Sequence, residues 1–299
     1  MARTNPLQRW VENTKGRQVR KYAHYYDIYH RHLKKFRGQP IVVVEFGVHM
    51  GGSAQMWHEY FGSNAMIYGV DILPACKKWD EPWFKVFIGD QSDRKFLREL
   101  AAQIGPIDVV IEDGGHRPEQ QIATFELFFP LLKPGGVFLI EDLHTSYWHQ
   151  YGGGLNRPGT FMEYAKPLTD QLNAYHSREE TFRVDAFTRS CRSMHFYDSI
   201  VVFEKDKVAR PTRLDGGIAG WERRPETTVS LSMPSRLRTA GVSVRSQVKL
   251  HARAARARLA ALRRARTARP KNGRQVPTPN DLGVVSGSLG PRRERSRAA

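Results

Sequence analysis

The chain has 299 residues, 40% of them apolar, and two cysteines, Cys76 and Cys191, far apart in sequence. That length accommodates one large or two ordinary domains with a sizeable core. The absence of a run of about 18 apolar residues argues against a membrane span, and two distant cysteines fit buried thiols better than a disulfide framework. The formal charge of +17 suggests nucleic acid until it is located: residues 233–299 hold 17 Lys/Arg against two acids, whereas residues 1–232 hold 30 basic and 28 acidic side chains.

The start, MARTNPLQRW, lacks the apolar stretch of a secretory signal, so a cytoplasmic location is expected. Residues 1–40 read as an N-terminal helical segment. Within it, Tyr22, Tyr25, Tyr26 and Tyr29 recur at spacings of three and four and form one helix face, whose plainest use is packing. From 41 to 207 strands and helices alternate. IVVVEF (41–46) is a near-continuous β-branched run, as expected of a strand buried on both faces. The glycine-rich turn GVHMGGS follows, then a helix over 54–61 and strands at 65–71 and 83–90. A helix over 92–103 with Ser92 as its cap precedes the strand IDVVIED (107–113). Pro118 opens a helix reaching 132, KPGG turns the chain, and VFLIED (137–142) is the next strand. A loop over 145–159, a helix over 160–176 and two closing strands, TFRVDAFT (181–188) and SMHFYDSIVVFEK (193–205), complete the pattern. This rhythm predicts an α/β fold, a doubly wound and mostly parallel seven-stranded sheet with one antiparallel strand. Residues 208–299 read as a basic, largely disordered tail with a helix over 244–269.

Ligands of open parallel sheets bind outside the carboxyl ends of the strands, and the acids of this chain fall there. Asp113 follows VVI, and Glu141 and Asp142 follow VFLI, with His116 three residues beyond Asp113. Three hard oxygen donors suit a divalent cation such as Mg2+, and a histidine beside them suits a general base. His116 can equally cap the helix that follows it, and His144 is a second candidate base. Glu112, next to Asp113 in a strand, points to the opposite face and is left out of the metal shell. On the other half of the edge, the turn spaces Gly47, Gly51 and Ser53 unlike a dinucleotide fingerprint. Glu45 before it would repel a pyrophosphate but receive an ammonium. Asp71 ends the second strand, where a carboxylate can accept ribose hydroxyls, and Asp90 and Gln91 end the third, near where an adenine would lie. Together these suit S-adenosylmethionine.

The runs HYYDIYHRHLKKFRGQPIVVVEFGVHMGGSAQMW, YGVDI, GDQSD, VIEDGGH and LKPGGVFLIEDLHTSYW resemble the metal-dependent class I methyltransferases that O-methylate deoxysugars, the mycinamicin and macrocin type, over about residues 20–205. The resemblance implies a Rossmann-like methyltransferase fold. Glu45 and Gly47 would lie at the methionine end of S-adenosylmethionine, Asp71 at its ribose, and Asp90 and Gln91 by the adenosine. Asp113, Glu141 and Asp142 would hold Mg2+, with His116 as base. It also implies a glycoside or other sugar-containing acceptor and a homo-oligomer. The basic tail is not part of the pattern.

Three rival functions follow from the same residues. A nucleic-acid methyltransferase is disfavoured because the fourth strand ends in EDGGH rather than an (Asn/Asp)-Pro-Pro-aromatic signature, which leaves phosphate binding to the tail alone. A catechol-type O-methyltransferase uses the same diol chemistry. A non-catalytic cofactor-binding partner would bind S-adenosylmethionine without turnover, and the intact acid set argues against it.

Overall fold

The computed structural model describes residues 5–217. Seven strands, β1 (Val42–Phe46), β2 (Met66–Asp71), β3 (Phe84–Ile88), β4 (Ile107–Glu112), β5 (Leu132–Ile140), β6 (Cys191–Phe196) and β7 (Val201–Lys205), form one sheet in the order β3-β2-β1-β4-β5-β7-β6. β1 pairs in parallel with both β2 and β4, so the strand order reverses beside it. β7 runs antiparallel to β5 and to β6, so it is the one strand of opposite direction. The expected doubly wound sheet is therefore present. Its reversal opens a crevice at the carboxyl ends of β1 and β4, where this topology places ligands.

Six helices cover the two faces: α1 (Pro6–Asn13), α2 (Tyr25–Leu33), α3 (Gly52–Phe61), α4 (Arg94–Ile104), α5 (Pro118–Phe128) and α6 (Phe161–Gln171). Strand side chains alternate between the faces. From β1, Val43 joins Tyr25, Tyr29, Trp57 and Phe61 under α1–α3, whereas Val44 and Phe46 join Leu97, Phe125, Phe128 and Phe161 under α4–α6. Glu45 shares the face of Val43, which matters for the site.

Several boundaries differ from expectation for local reasons. Helix α4 is capped by Asp93, whose carboxylate accepts from Lys95 N at 2.8 Å, while Ser92 Oγ turns back to Asp90 at 2.8 Å. Residues 181–188 form no strand, because Asp185 and Thr188 close a turn in which Thr188 N donates to Asp185 Oδ1 at 2.8 Å. Both closing strands come instead from 191–205, folded as a hairpin about Ser199, whose φ of +62° makes the bend. The predicted loop over 145–159 contains two short 3-10 turns, part of Leu143–Tyr147 and all of His149–Tyr151. Cys76 and Cys191 are free and buried, and burial raises their pKa values to about 11 and about 12, so both remain thiols. The basic tail and its helix over 244–269 lie outside the described residues. No helix of those described is long and apolar enough to cross a membrane.

Candidate active site

The crevice is a cavity of about 470 Å³ lined by the turn after β1, the ends of β2 and β3, the loop after β4, and the segment 18–21. The turn follows Phe46 because its glycines permit contacts that a side chain would block. Gly47 has φ +91°, and a Cβ there would lie 2.0 Å from the Asp113 carbonyl oxygen; one on Gly52 would lie 2.1 Å from that of Gln18. These close approaches bring β1, the loop after β4 and the N-terminal segment together at one point.

Of the residues expected to hold a cofactor, Gly47, Ser53, Asp71, Asp90 and Gln91 line the cavity. Asp71 shapes the turn: its Oδ2 accepts from Val48 N and His49 N, both at 2.9 Å, and its Oδ1 from Leu73 N at 2.9 Å. Asp90 Oδ1 accepts from Ser92 N at 2.7 Å. The Gln91 side chain is turned inward. It donates to Glu112 Oε1 at 2.6 Å and accepts from Gly115 N at 3.0 Å, so it buttresses the loop after β4. Gly51 lies outside the lining and packs against Trp79. Glu45 is buried beneath the turn rather than facing the cavity. Its oxygens accept from Ser53 Oγ at 2.9 Å and Trp57 Nε1 at 2.8 Å. Burial raises its pKa to about 7, against the opposing pull of Lys21. A direct contact from Glu45 to a ligand ammonium is therefore not available in this arrangement. Glu112 points away from the cavity, as strand alternation required, and burial raises its pKa to about 7 as well.

At the far end of the cavity Asp113, His116 and Asp142 each present a ligating atom, all within 4.8 Å of one another. His116 Nε2 lies 3.5 Å from Asp142 Oδ2. Both residues have left-handed backbones, with φ +55° and +53°. That conformation is unfavourable for non-glycine residues and persists where neighbours over-determine it. Thr145 supplies part of that constraint, its Oγ1 lying 3.1 Å from the His116 carbonyl and 2.7 Å from that of Asp142. His144, the alternative base, pairs instead with Ser199 Oγ at 3.1 Å and does not line the cavity.

Glu141 lies one layer deeper, fully buried. Its Oε2 accepts from Lys21 Nζ at 2.7 Å, the same ammonium that reaches Asp113 Oδ2 at 2.5 Å. Burial alone would lower the Lys21 pKa, but attraction to Asp113, Glu141 and Glu45 outweighs it and the pKa is raised, so the group remains ammonium. Tyr25 donates to Asp142 Oδ1 at 2.7 Å. Tyr29, one turn on, faces Glu141. Burial, then the Asp142 contact, raises the Tyr25 pKa and keeps its O–H as the donor. The tyrosine face expected only to pack thus also forms the inner wall of the acid cluster. Tyr25 and Tyr29 lie one turn apart on α2, whereas Lys21 precedes that helix and no spacing in the sequence marks it.

The two converging aspartates offer hard oxygen donors that suit a divalent ion, with the His116 imidazole beside them. Glu141, expected as a third ligand, does not join this group and lies beneath it against Lys21 and Tyr29. The sheet order is that of the class I, Rossmann-like methyltransferase fold. Residues 44–143 match the family model described as a methyltransferase domain. The chain is similar to O-methyltransferases named for demethylmacrocin, rhamnosyl tetracenomycin and mycinamicin. It is 35% identical to demethylmacrocin O-methyltransferase of Streptomyces fradiae over 205 residues, covering 64% of this chain and 50% of the relative. It is 36% identical to the 8-demethyl-8-alpha-L-rhamnosyl tetracenomycin-C 2'-O-methyltransferase of Streptomyces olivaceus, covering 67% and 53%. The MycE methyltransferase from the mycinamycin biosynthetic pathway, solved in complex with Mg and SAH, superposes with a TM-score of 0.61 at 30% identity, covering 77% of this chain and 59% of that one. The resemblance drawn from the five motifs is borne out. The chain spans about half the length of the curated relatives it matches.

Proposed function

We propose that the protein is an S-adenosylmethionine- and Mg2+-dependent O-methyltransferase acting on a hydroxyl of a sugar in a glycosylated natural product or polysaccharide. The convergence of Asp113, His116 and Asp142 at one end of a cavity whose other end carries Asp71 and Asp90 supports this reading best. The relatives named for macrolide and tetracenomycin sugars support the choice of acceptor class.

Asp113 and Asp142 would hold the metal. Bound there, a divalent ion supplies Lewis-acid polarisation of neighbouring hydroxyls. S-adenosylmethionine supplies an electrophilic methyl group. Asp71, at the end of β2, stands where the ribose hydroxyls of the donor would lie, and Asp90 stands toward the adenosine. His116 Nε2 faces the acid cluster and is the group that takes the proton from the attacking hydroxyl. Asp142 beside it stabilises the imidazolium that results. The segment after β5 would exclude water from this end, Tyr151 standing with its ring 6.3 Å from that of His116.

The test is methyl transfer from labelled S-adenosylmethionine to a panel of glycosides, with Mg2+ and with chelator. Label on a sugar oxygen only when metal is present supports the proposal. Donor binding without transfer to any glycoside or other vicinal diol refutes it in favour of a binding role.

A further inference from the structure

A second set of ligating groups lies away from the crevice, where the last turn of α2 meets the hairpin of β6 and β7. His32, His195 and Glu204 each present a ligating atom there, all within 4.8 Å of one another. Three regular elements hold them. β6 and β7 pair Ser193 with Glu204 and His195 with Val202, so His195 and Glu204 are diagonal neighbours on one face of the hairpin. His32 reaches that face from α2 and is buried. Its Nδ1 lies 3.0 Å from Glu204 Oε1, and His195 Nε2 lies 3.8 Å from Glu204 Oε2. Ligands at tetrahedral corners on bonds of about 2.0–2.2 Å stand roughly 3.3 Å apart, so these separations bracket what zinc requires. A second layer orients the ligands. The Tyr197 hydroxyl lies 2.8 Å from His32 Nε2, and it can accept that N–H while Nδ1 faces an ion. Ser193 Oγ lies 3.0 Å from His195 Nε2 and 2.9 Å from Glu204 Oε2, and one rotation about its χ1 vacates the gap between them.

We propose that His32, His195 and Glu204 form a second metal site, which takes a transition-metal ion of the zinc type with water in the fourth position. Two imidazoles and a carboxylate are a ligand set that zinc uses, whereas Mg2+ prefers oxygen donors. The water enters from the solvent side, where the His195 side chain is 36% exposed and that of Glu204 26%. Arg31 and Lys35 stand close enough to oppose a cation, so affinity comes from the three direct bonds rather than from net charge. The ion would fasten the end of α2 to the sheet edge. The same helix carries Tyr25, which donates to Asp142 in the crevice. This site is independent of the metal reading of the crevice, and either can fail without the other.

The experiment titrates Zn2+ into the full chain, stripped with chelator and then held in millimolar Mg2+, and follows uptake by calorimetry and by the thermal midpoint. The parent is expected to take up an equivalent of Zn2+ and to melt at a higher temperature with it. His195→Gln and Glu204→Gln, each with its fold checked by circular dichroism, should weaken that uptake by about 100-fold or more and remove the thermal shift. Asp142→Asn, in the crevice, should leave it within about threefold. Co2+ in place of Zn2+ should give the intense visible bands of a tetrahedral ion in the parent and not in His195→Gln. A parent that takes up no Zn2+ in the presence of Mg2+ overturns the inference and leaves the cluster a hydrogen-bonded network. Uptake that survives both His195→Gln and Glu204→Gln, or that is lost with Asp142→Asn, overturns it as well.

Discussion

Replacing Glu112 with glutamine isolates the cost of burying a carboxylate beneath the loop after β4. Glu112 is fully buried, and its Oε2 has no hydrogen-bond partner among the described residues. Burial, opposed by the Gln91 contact, raises its pKa from about 4.5 to about 7. A carboxyl whose folded pKa lies above its unfolded one binds its proton more tightly in the folded protein. Stability then falls as pH rises from about 4.5 to about 7 and is level beyond that range. The gap between the two values corresponds to about 3 kcal/mol, and the neutral amide of Glu112→Gln escapes it. Urea unfolding followed by tryptophan fluorescence, on metal-free protein, should therefore show parent and variant equally stable near pH 4.5. By about pH 8 the variant should be ahead by about 3 kcal/mol, since the Gln91 hydrogen bond is already contained in the parent's pKa. A difference that does not vary with pH would refute the reasoning and mean that the carboxylate is accommodated as an ion.

Three further outcomes test the site. His116→Ala should lower kcat by about 100-fold or more while calorimetry still detects S-adenosylmethionine binding; a near-normal rate would remove His116 as the base. Asp142→Asn should abolish both activity and metal dependence, and full activity of chelator-treated parent enzyme would remove the metal from the reaction. Tyr25→Phe deletes the 2.7 Å hydrogen bond to Asp142 and should weaken Mn2+ binding by about tenfold with the fold intact by circular dichroism, whereas unchanged affinity would reduce the tyrosine to a packing role.

The strand–helix rhythm was legible because a parallel sheet buried on both faces demands apolar β-branched runs, and β1, β4 and β5 each carry one. The acids that end those runs were legible for a related reason: a carboxylate directly after a buried strand is out of place in a core and in place at a ligand edge. The hairpin of β6 and β7 was misread as one strand, because the alternation of 193–205 continues through the bend and only the positive φ of Ser199 reveals it. The apparent strand at 181–188 fails for the converse reason, since alternation there is overridden by the local Asp185–Thr188 turn.

What the sequence by itself determined is the parallel strand–helix core and the set of strand-end residues, because periodicity and position are local properties of the chain. The strand order and its reversal beside β1 came from the tertiary structure. Which of those residues face one another was decided only by tertiary structure. Glu45, nominally at the ligand edge, is drawn under the turn by Trp57, a residue 12 positions on. Gln91 spends its amide on Glu112 and Gly115. Lys21, which nothing in its own neighbourhood marks as special, is placed between Asp113 and Glu141 across separations of 92 and 120 residues. A buried charge finds its counter-charge through the packing of distant elements, and no pattern local to the chain records that meeting.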